Sequence, residues 1–388
     1  MKNKIYFITY VTLCLFLVLK LVRGLSGVES QSGGLWNYIQ MFFFIQGFYL
    51  LLFNKVNNHP IFKTFMTFLY TCWAVSLLNM DTFIGSFPML FKYAIYPYPG
   101  LICVVFYYFG HKYGISKYNL IMHGTFYLLC VLFIMSLRNY RLTELGENVA
   151  ISDVYYPLAL LPFVMAMTKD KYKLIPLIVA FLAVLFSGKR TGFIIVIVVA
   201  LIVYLFQPGA NTKKVLSNFF FVGVAAFLGM SILGSFIDQF DIDIIYRLQN
   251  IGEDGGSGRD ERWAYLLKLL NESDITQLIF GHGYESVSIY LKGGRAHNDF
   301  LEVFFNFGII PFILYITFYV KLIKEGIRMY KSKYMYSAEY LATVVCALFL
   351  ALFSFFIVEP TYITGSMFAI ALFIADWNNF KTQISYEK

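Results

Sequence analysis

Apolar residues run along this chain in long blocks, with polar connectors between them. A helix rises about 1.5 Å per residue and a bilayer core is about 30 Å thick, so about 20 apolar residues make one crossing. On that measure the pattern predicts membrane-spanning helices at about 5–22, 35–53, 61–80, 88–109, 118–137, 151–168, 173–187, 191–207, 218–236, 299–323, 340–358 and 361–379. The fourth contains Lys92, Pro88, Pro97 and Pro99, which points to a broken or re-entrant helix whose freed backbone groups are satisfied inside the protein. The run from Ile5 to Leu19 follows Lys2 and Lys4 like a signal peptide, but Lys20 and Arg23 come next without a small-residue cleavage site. A retained first span is therefore expected.

Charge orients these spans. With a cytoplasmic N-terminus, the even-numbered connectors carry Lys55 and Lys63; Lys112 and Lys117; Lys169, Lys171 and Lys173; Lys213 and Lys214; then Lys321, Lys324, Arg328, Lys331 and Lys333. Those are the inside loops, and both termini fall inside. Asp81, the segment with Glu144, Glu147 and Asp153, and a long loop over about 238–298 then lie outside. That loop holds ten Asp and Glu against six Lys and Arg. Lys189 and Arg190 break the rule, because they fall in a tight outside turn between Gly188 and Gly192.

Composition agrees and excludes alternatives. Hydrophobic residues make up 59% and charged residues 14% of the 388 positions, against roughly a quarter charged in soluble domains. The expected fold is a single all-α polytopic membrane domain over 1–388, with the 238–298 loop as its one sizeable external segment. The net charge of +8 is scattered singly between apolar runs, which fits topology and argues against a nucleic-acid partner. Cys14, Cys72, Cys103, Cys130 and Cys346 all sit in apolar stretches, so neither a disulfide nor a zinc framework follows.

Three segments carry candidate chemistry. In Ser187-Gly188-Lys189-Arg190-Thr191-Gly192, two cations meet the free amides of a helix start near Thr191, a combination suited to an anion at headgroup depth. It is not a nucleotide P-loop, since Ala183 replaces the leading Gly and Arg190 the Ser/Thr after Gly-Lys. In the second, Gly255-Gly256-Ser257-Gly258-Arg259-Asp260-Glu261-Arg262-Trp263 precedes Leu266, Leu267 and Leu270. Trp263 and those leucines share one face of an amphipathic helix, which would lie on the membrane or pack over the bundle, with Ser257 and Asp260 capping it. Arg259 would project from its first turn, where the helix dipole disfavours a cation unless an anion is present. In the third, Arg295-Ala296-His297-Asn298-Asp299 puts an imidazole at the membrane boundary, able to accept a hydroxyl proton near neutral pH. His282, Glu285, His297, Asp299 and Glu302 lack the spacing of a known metal motif, Asp241-Ile242-Asp243 is too short a pattern to carry one, and Gly281-His282-Gly283 reads as a turn.

Taken in order, these motifs resemble the O-antigen polymerase and O-antigen ligase family. The matching residues are Arg190; Ser257, Gly258, Arg259 and Trp263; Phe280, Gly281 and Gly283; and His297, Asn298, Leu301 and Gly308. The resemblance implies a multi-pass glycosyltransferase of the bacterial inner membrane, similar in build to the GT-C type, with its site on the periplasmic side. It implies an undecaprenyl-diphosphate-linked oligosaccharide as donor and another as acceptor, no nucleotide sugar, metal or other cofactor, and a flippase and a chain-length regulator as partners. Carried over by position, Arg190 and Arg259 bind the donor pyrophosphate and His297 stands beside the attacking hydroxyl. Lys189, Arg262, Trp263, Arg295 and Asn298 are candidate substrate-binding residues. Lys189 departs from the family, where a Ser often precedes the Arg.

The expectation is a repeat-unit polymerase, for which 42 Phe and 30 Tyr suit glycan stacking as well as interface anchoring. Its sister activity, ligation to lipid A core, shares the same motifs. A flippase or transporter would also use about a dozen spans, but it predicts internal repeats and charges near the bilayer midplane.

Overall fold

The computed structural model describes residues 2–26, 33–53, 59–78, 98–143, 152–208, 255–354, 357 and 360–386. Expectations for the ninth span, the first part of the fourth, Asp81, Glu144, Glu147, Lys213, Lys214, the Asp241–Asp243 pattern and the loop before Gly255 lie outside the described residues. Every regular element among the described residues is helical. In chain order they are α1 (Lys2–Ser26), α2 (Gly33–Phe53), α3 (Pro60–Leu78), α4 (Tyr98–Tyr113), α5 (Asn119–Thr143), α6 (Tyr155–Met167), α7 (Leu174–Ser187) and α8 (Arg190–Leu205). There follow α9 (Gly255–Glu272), α10 (Ile275–Phe280), α11 (Ser286–Tyr290), α12 (Asp299–Phe307), α13 (Ile309–Lys331), α14 (Ser337–Phe353) and α15 (Pro360–Tyr386). By length and hydropathy, 119–136 in α5 qualifies as a full crossing, and five further described helices contain shorter apolar stretches.

The chain forms two compact units. The first comprises residues 1–29, 118–251 and 326–346. Its α1 packs on α5 through Tyr118, whose ring contacts those of Tyr6, Phe7 and Tyr10 with centroids 5.3–5.8 Å apart. Nearly the whole of α6 is buried; at its end Thr168 Oγ1 lies 2.9 Å from His123 Nε2 on α5. The buried Lys173 ammonium bonds Glu339 Oε1 at 2.7 Å and Asp170 Oδ1 at 2.9 Å.

The second unit comprises residues 30–117, 252–325 and 347–388. In it α4 lies against α15, with Phe106 edge-on to Phe368 at 4.8 Å. Here α2 approaches α4 so closely that a Cβ on Gly47 would stand 2.6 Å from Leu101 Cβ. Rings stack from α13 onto α3, Phe318 on Phe65 and Tyr315 on Phe68, and Trp377 of α15 donates to Glu325 Oε1 at 2.7 Å.

Helix ends that the charge pattern assigns to one side meet within each unit. Lys321 donates to Thr64 at 2.6 Å, Asn379 to the His111 carbonyl, and Tyr118 to the Asn3 carbonyl.

Two expectations are refined. The tenth span, bounded as one run over 299–323 by hydropathy but Gly-interrupted in the family resemblance, is divided at Gly308, which at φ +82° separates α12 from α13. The freed carbonyls of Phe305 and Asn306 accept the amides of His282 and Gly283, both at 2.9 Å, so the Gly281–Gly283 turn is docked against the break. The apolar face of α9 is also narrower than the pattern implied. Leu266 and Leu270 are buried and Trp263 half-buried, whereas Leu267 is 57% exposed. That face covers a local core with Val287, Ala296 and Phe305, joined by Leu291, Leu301 and Phe304, so α9 packs onto protein along this stripe.

Candidate active site

The turn at 187–192 belongs to the first unit. Gly188, at φ +65°, closes α7, and α8 begins at Arg190, one residue before the expected Thr191. The Ser187 hydroxyl donates to the Val184 carbonyl and accepts the Lys189 amide at 3.0 Å, which fixes the entry to α8. Gly192 is packed against Val184 and Leu158 of α6. Lys189 and Arg190, both half-buried, thus flank a helix N-terminus whose first amides lack intrahelical acceptors. Two cations at the positive end of a helix dipole repel it, and an anion relieves that repulsion.

The other predicted residues belong to the second unit. Helix α9 starts at Gly255, ahead of Ser257, and the side chain of Ser257 lies outside the described residues. Gly258 has φ +73° with open space at its Cβ position, and the half-buried Arg259 follows it in the first turn. From the next turn Arg262 Nη1 donates to the Arg295 carbonyl at 3.2 Å, and Trp263 Nε1 donates to the Ala296 carbonyl at 2.6 Å. The two ends of the loop, 33 residues apart in sequence, are joined there. Arg295 in turn reaches Glu285 Oε1 at 3.3 Å.

His297 follows at once, half-buried and at φ +54°, a left-handed conformation that a residue with a Cβ adopts only where its surroundings hold it. Asn298 then caps α12, its Oδ1 accepting the Leu301 amide at 3.0 Å. The structure therefore brings Arg262, Trp263, Arg295, His297 and Asn298 together, while Lys189 and Arg190 sit at the α7–α8 turn of the other unit.

Two residues of the second unit were not among the predicted site residues. Glu302, considered only as a metal ligand, is 1% exposed, and its Oε1 accepts the Ala296 amide at 2.8 Å. Glu302 stands four residues after the cap Asn298, one beyond the capping-box position, so no local pattern signals this bond and its target is set by the fold. His282 stacks on Phe305 with ring centroids 4.3 Å apart, and its Nε2 lies 2.9 Å from the Ser273 hydroxyl, which donates to the Leu269 carbonyl. Burial lowers the His282 pKa, and Asp274 opposes that shift.

Comparison with known proteins bears out the resemblance read from the motifs: a family model described as O-Antigen ligase matches residues 175–316. The match covers less than half of the chain but takes in all eight predicted site residues, from Lys189 to Asn298. No curated protein matches the chain.

Proposed function

We propose that this chain is a glycan polymerase of the O-antigen ligase and polymerase family, joining lipid-linked repeat units at the outer face of the bacterial inner membrane. The observation that carries the reading is the family match over 175–316, which contains both arginine motifs and His297. The donor's leaving group is a lipid diphosphate. As the bond between the anomeric carbon and the diphosphate oxygen breaks, negative charge grows on that oxygen, and Arg190 and Arg259 are assigned to stabilise it. The acceptor hydroxyl oxygen forms the new bond to the anomeric carbon, and its proton passes to the His297 imidazole. A single displacement inverts the configuration at that carbon. Arg295 and Asn298 are assigned to orient the acceptor sugar and Lys189 to share the phosphate role; no metal takes part in this scheme.

Purified protein given an undecaprenyl-diphosphate-linked repeat unit should lengthen it without other enzymes, which a transporter cannot do. Arg259→Ala and His297→Ala that both leave polymer length and yield unchanged in a deletion strain would overturn the assignment. The second reading, ligation to lipid A core, is favoured by the description of the matching family model. Loss of a polymerase leaves single repeat units on the core, whereas loss of a ligase leaves bare core and accumulated lipid-linked polymer.

A further inference from the structure

Ala296, the residue before His297, is held at both of its backbone polar groups. Its N–H donates to Glu302 Oε1 at 2.8 Å, and its carbonyl, part of the peptide that leads into His297, accepts the Trp263 indole N–H at 2.6 Å. The carbonyl one residue earlier accepts from Arg262. Beyond His297, the Asn298 carbonyl accepts the Glu302 amide at 3.0 Å and its side chain accepts the Leu301 amide. A histidine in the left-handed region thus stands between two anchored residues, Ala296 and Asn298.

Glu302 makes this grip at the expense of its own solvation. It is almost wholly buried, and its second carboxylate oxygen, Oε2, has no hydrogen-bond partner among the described residues. Arg295, one residue before the amide that Glu302 holds, is engaged with Glu285. Burying an ionisable group in this way is costly, and the one side-chain bond it makes among the described residues fixes the residue before His297. Trp263 is in a similar position: its ring packs against the Leu266, Leu270 and Ala296 core, and its indole N–H is used on the backbone, which leaves it poorly placed to serve as a platform for sugar.

We propose that Glu302 and Trp263 are positioning residues, which aim the His297 imidazole by holding the backbone of Ala296, its N–H by a carboxylate acceptor and its carbonyl by an indole donor. This rests on the reading of His297 as the base. It reassigns Trp263 from substrate binding to orientation, and it separates a geometric role from a merely structural one because the Michaelis parameters divide. Loss of the clamp lowers kcat through a misaimed base and leaves substrate affinity alone.

The test uses the full-length protein in detergent, extending a lipid-linked repeat unit, with monodisperse size exclusion required of each variant. Trp263→Phe keeps the apolar ring and removes the N–H; Glu302→Gln keeps an oxygen acceptor; Glu302→Ala removes it. The expected result for Trp263→Phe and Glu302→Ala is a kcat lowered about tenfold to a hundredfold with KM within about twofold. Glu302→Gln should restore kcat to within about threefold of the parent. In parallel, the rate of diethyl pyrocarbonate modification at His297, read by mass spectrometry, should change in the two clamp-breaking variants and return in Glu302→Gln. Where Glu302→Ala does not yield monodisperse protein, Trp263→Phe and Glu302→Gln carry the test. An increase in KM at unchanged kcat for Trp263→Phe makes that residue a sugar platform and overturns the proposal. So does unaltered modification of His297 in the clamp-breaking variants. A fully active His297→Ala overturns the reading of the site and this inference with it; an inactive His297→Ala beside fully active clamp variants overturns this inference alone.

Discussion

Gly281 and Gly308 meet backbone to backbone: a Cβ built on Gly308 would lie 2.7 Å from the Gly281 amide nitrogen and 2.2 Å from the Ile279 carbonyl oxygen. A Cβ on Gly281 would lie 2.3 Å from the Asn306 carbonyl oxygen. Both glycines have positive φ, so neither space nor conformation admits a side chain. Their contact holds the Gly281–Gly283 turn against the break between α12 and α13.

Gly281→Ala and Gly308→Ala are therefore expected to destabilise the second unit, each by at least the roughly 1–3 kcal/mol of a strained backbone position, with the steric clash added. Gly293→Ala, at a positive φ but with open space around its Cβ, should pay the conformational strain alone. Thermal unfolding in detergent, followed by fluorescence-detected size exclusion, should place the midpoints of the first two variants well below that of the third.

Lys173 and Glu339 form a buried ion pair between the start of α7 and the start of α14. Removing one partner, as in Lys173→Met or Glu339→Gln, leaves a buried group uncompensated and should cost about 3–5 kcal/mol. Because Lys173→Met with Glu339→Leu removes both charges together, the double variant should recover most of that loss. Asp170, 75% exposed at its side chain, contributes little, so Asp170→Asn should shift the unfolding midpoint only slightly.

Arg190→Ala and Arg259→Ala should each reduce extension of a lipid-linked repeat unit by about a hundredfold to a thousandfold if each stabilises charge on the departing diphosphate. Lysine at either position should restore part of the rate, since it supplies the charge without the planar fork. Rates near that of the parent protein in both alanine variants would remove the diphosphate role.

Stability should fall below neutral pH in a way that His282 explains in part. Its folded-state pKa lies below the ordinary value because burial opposes the imidazolium. The unfolded chain therefore binds protons first. The neutral form's advantage is complete above about pH 6.5 and is lost as pH falls from there through the folded-state pKa. Unfolding midpoints measured from pH 7.5 down to 5.5 should decline less steeply for His282→Gln than for the parent. Parallel curves would show that this imidazole does not contribute.

Long apolar blocks, isolated lysines between them and Gly-flanked turns act within a span or a turn, so the helical membrane architecture, most helix ends and the loci of Arg190, Arg259 and His297 could be read from sequence alone. Hydropathy is an average over neighbours, so by itself it drew one span across Gly308; the interruption there was legible only in the motif, because one residue's backbone decides the path. The pattern also grouped Leu267 with Leu266 and Leu270, because spacing defines a face but not its width; only the core around Val287 and Phe305 selects which positions are covered. The same limit applies to the site. Trp263 and Ala296 are 33 residues apart and Lys173 and Glu339 are 166 apart, so the clamp on His297 and the buried ion pair depend on chain closure that no local pattern encodes. The sequence by itself determined which chemical groups are present and the helices that carry them. The tertiary structure decided which of them hold the backbone on either side of His297, since a hydrogen bond is set by ångström-scale placement of groups that only folding brings together.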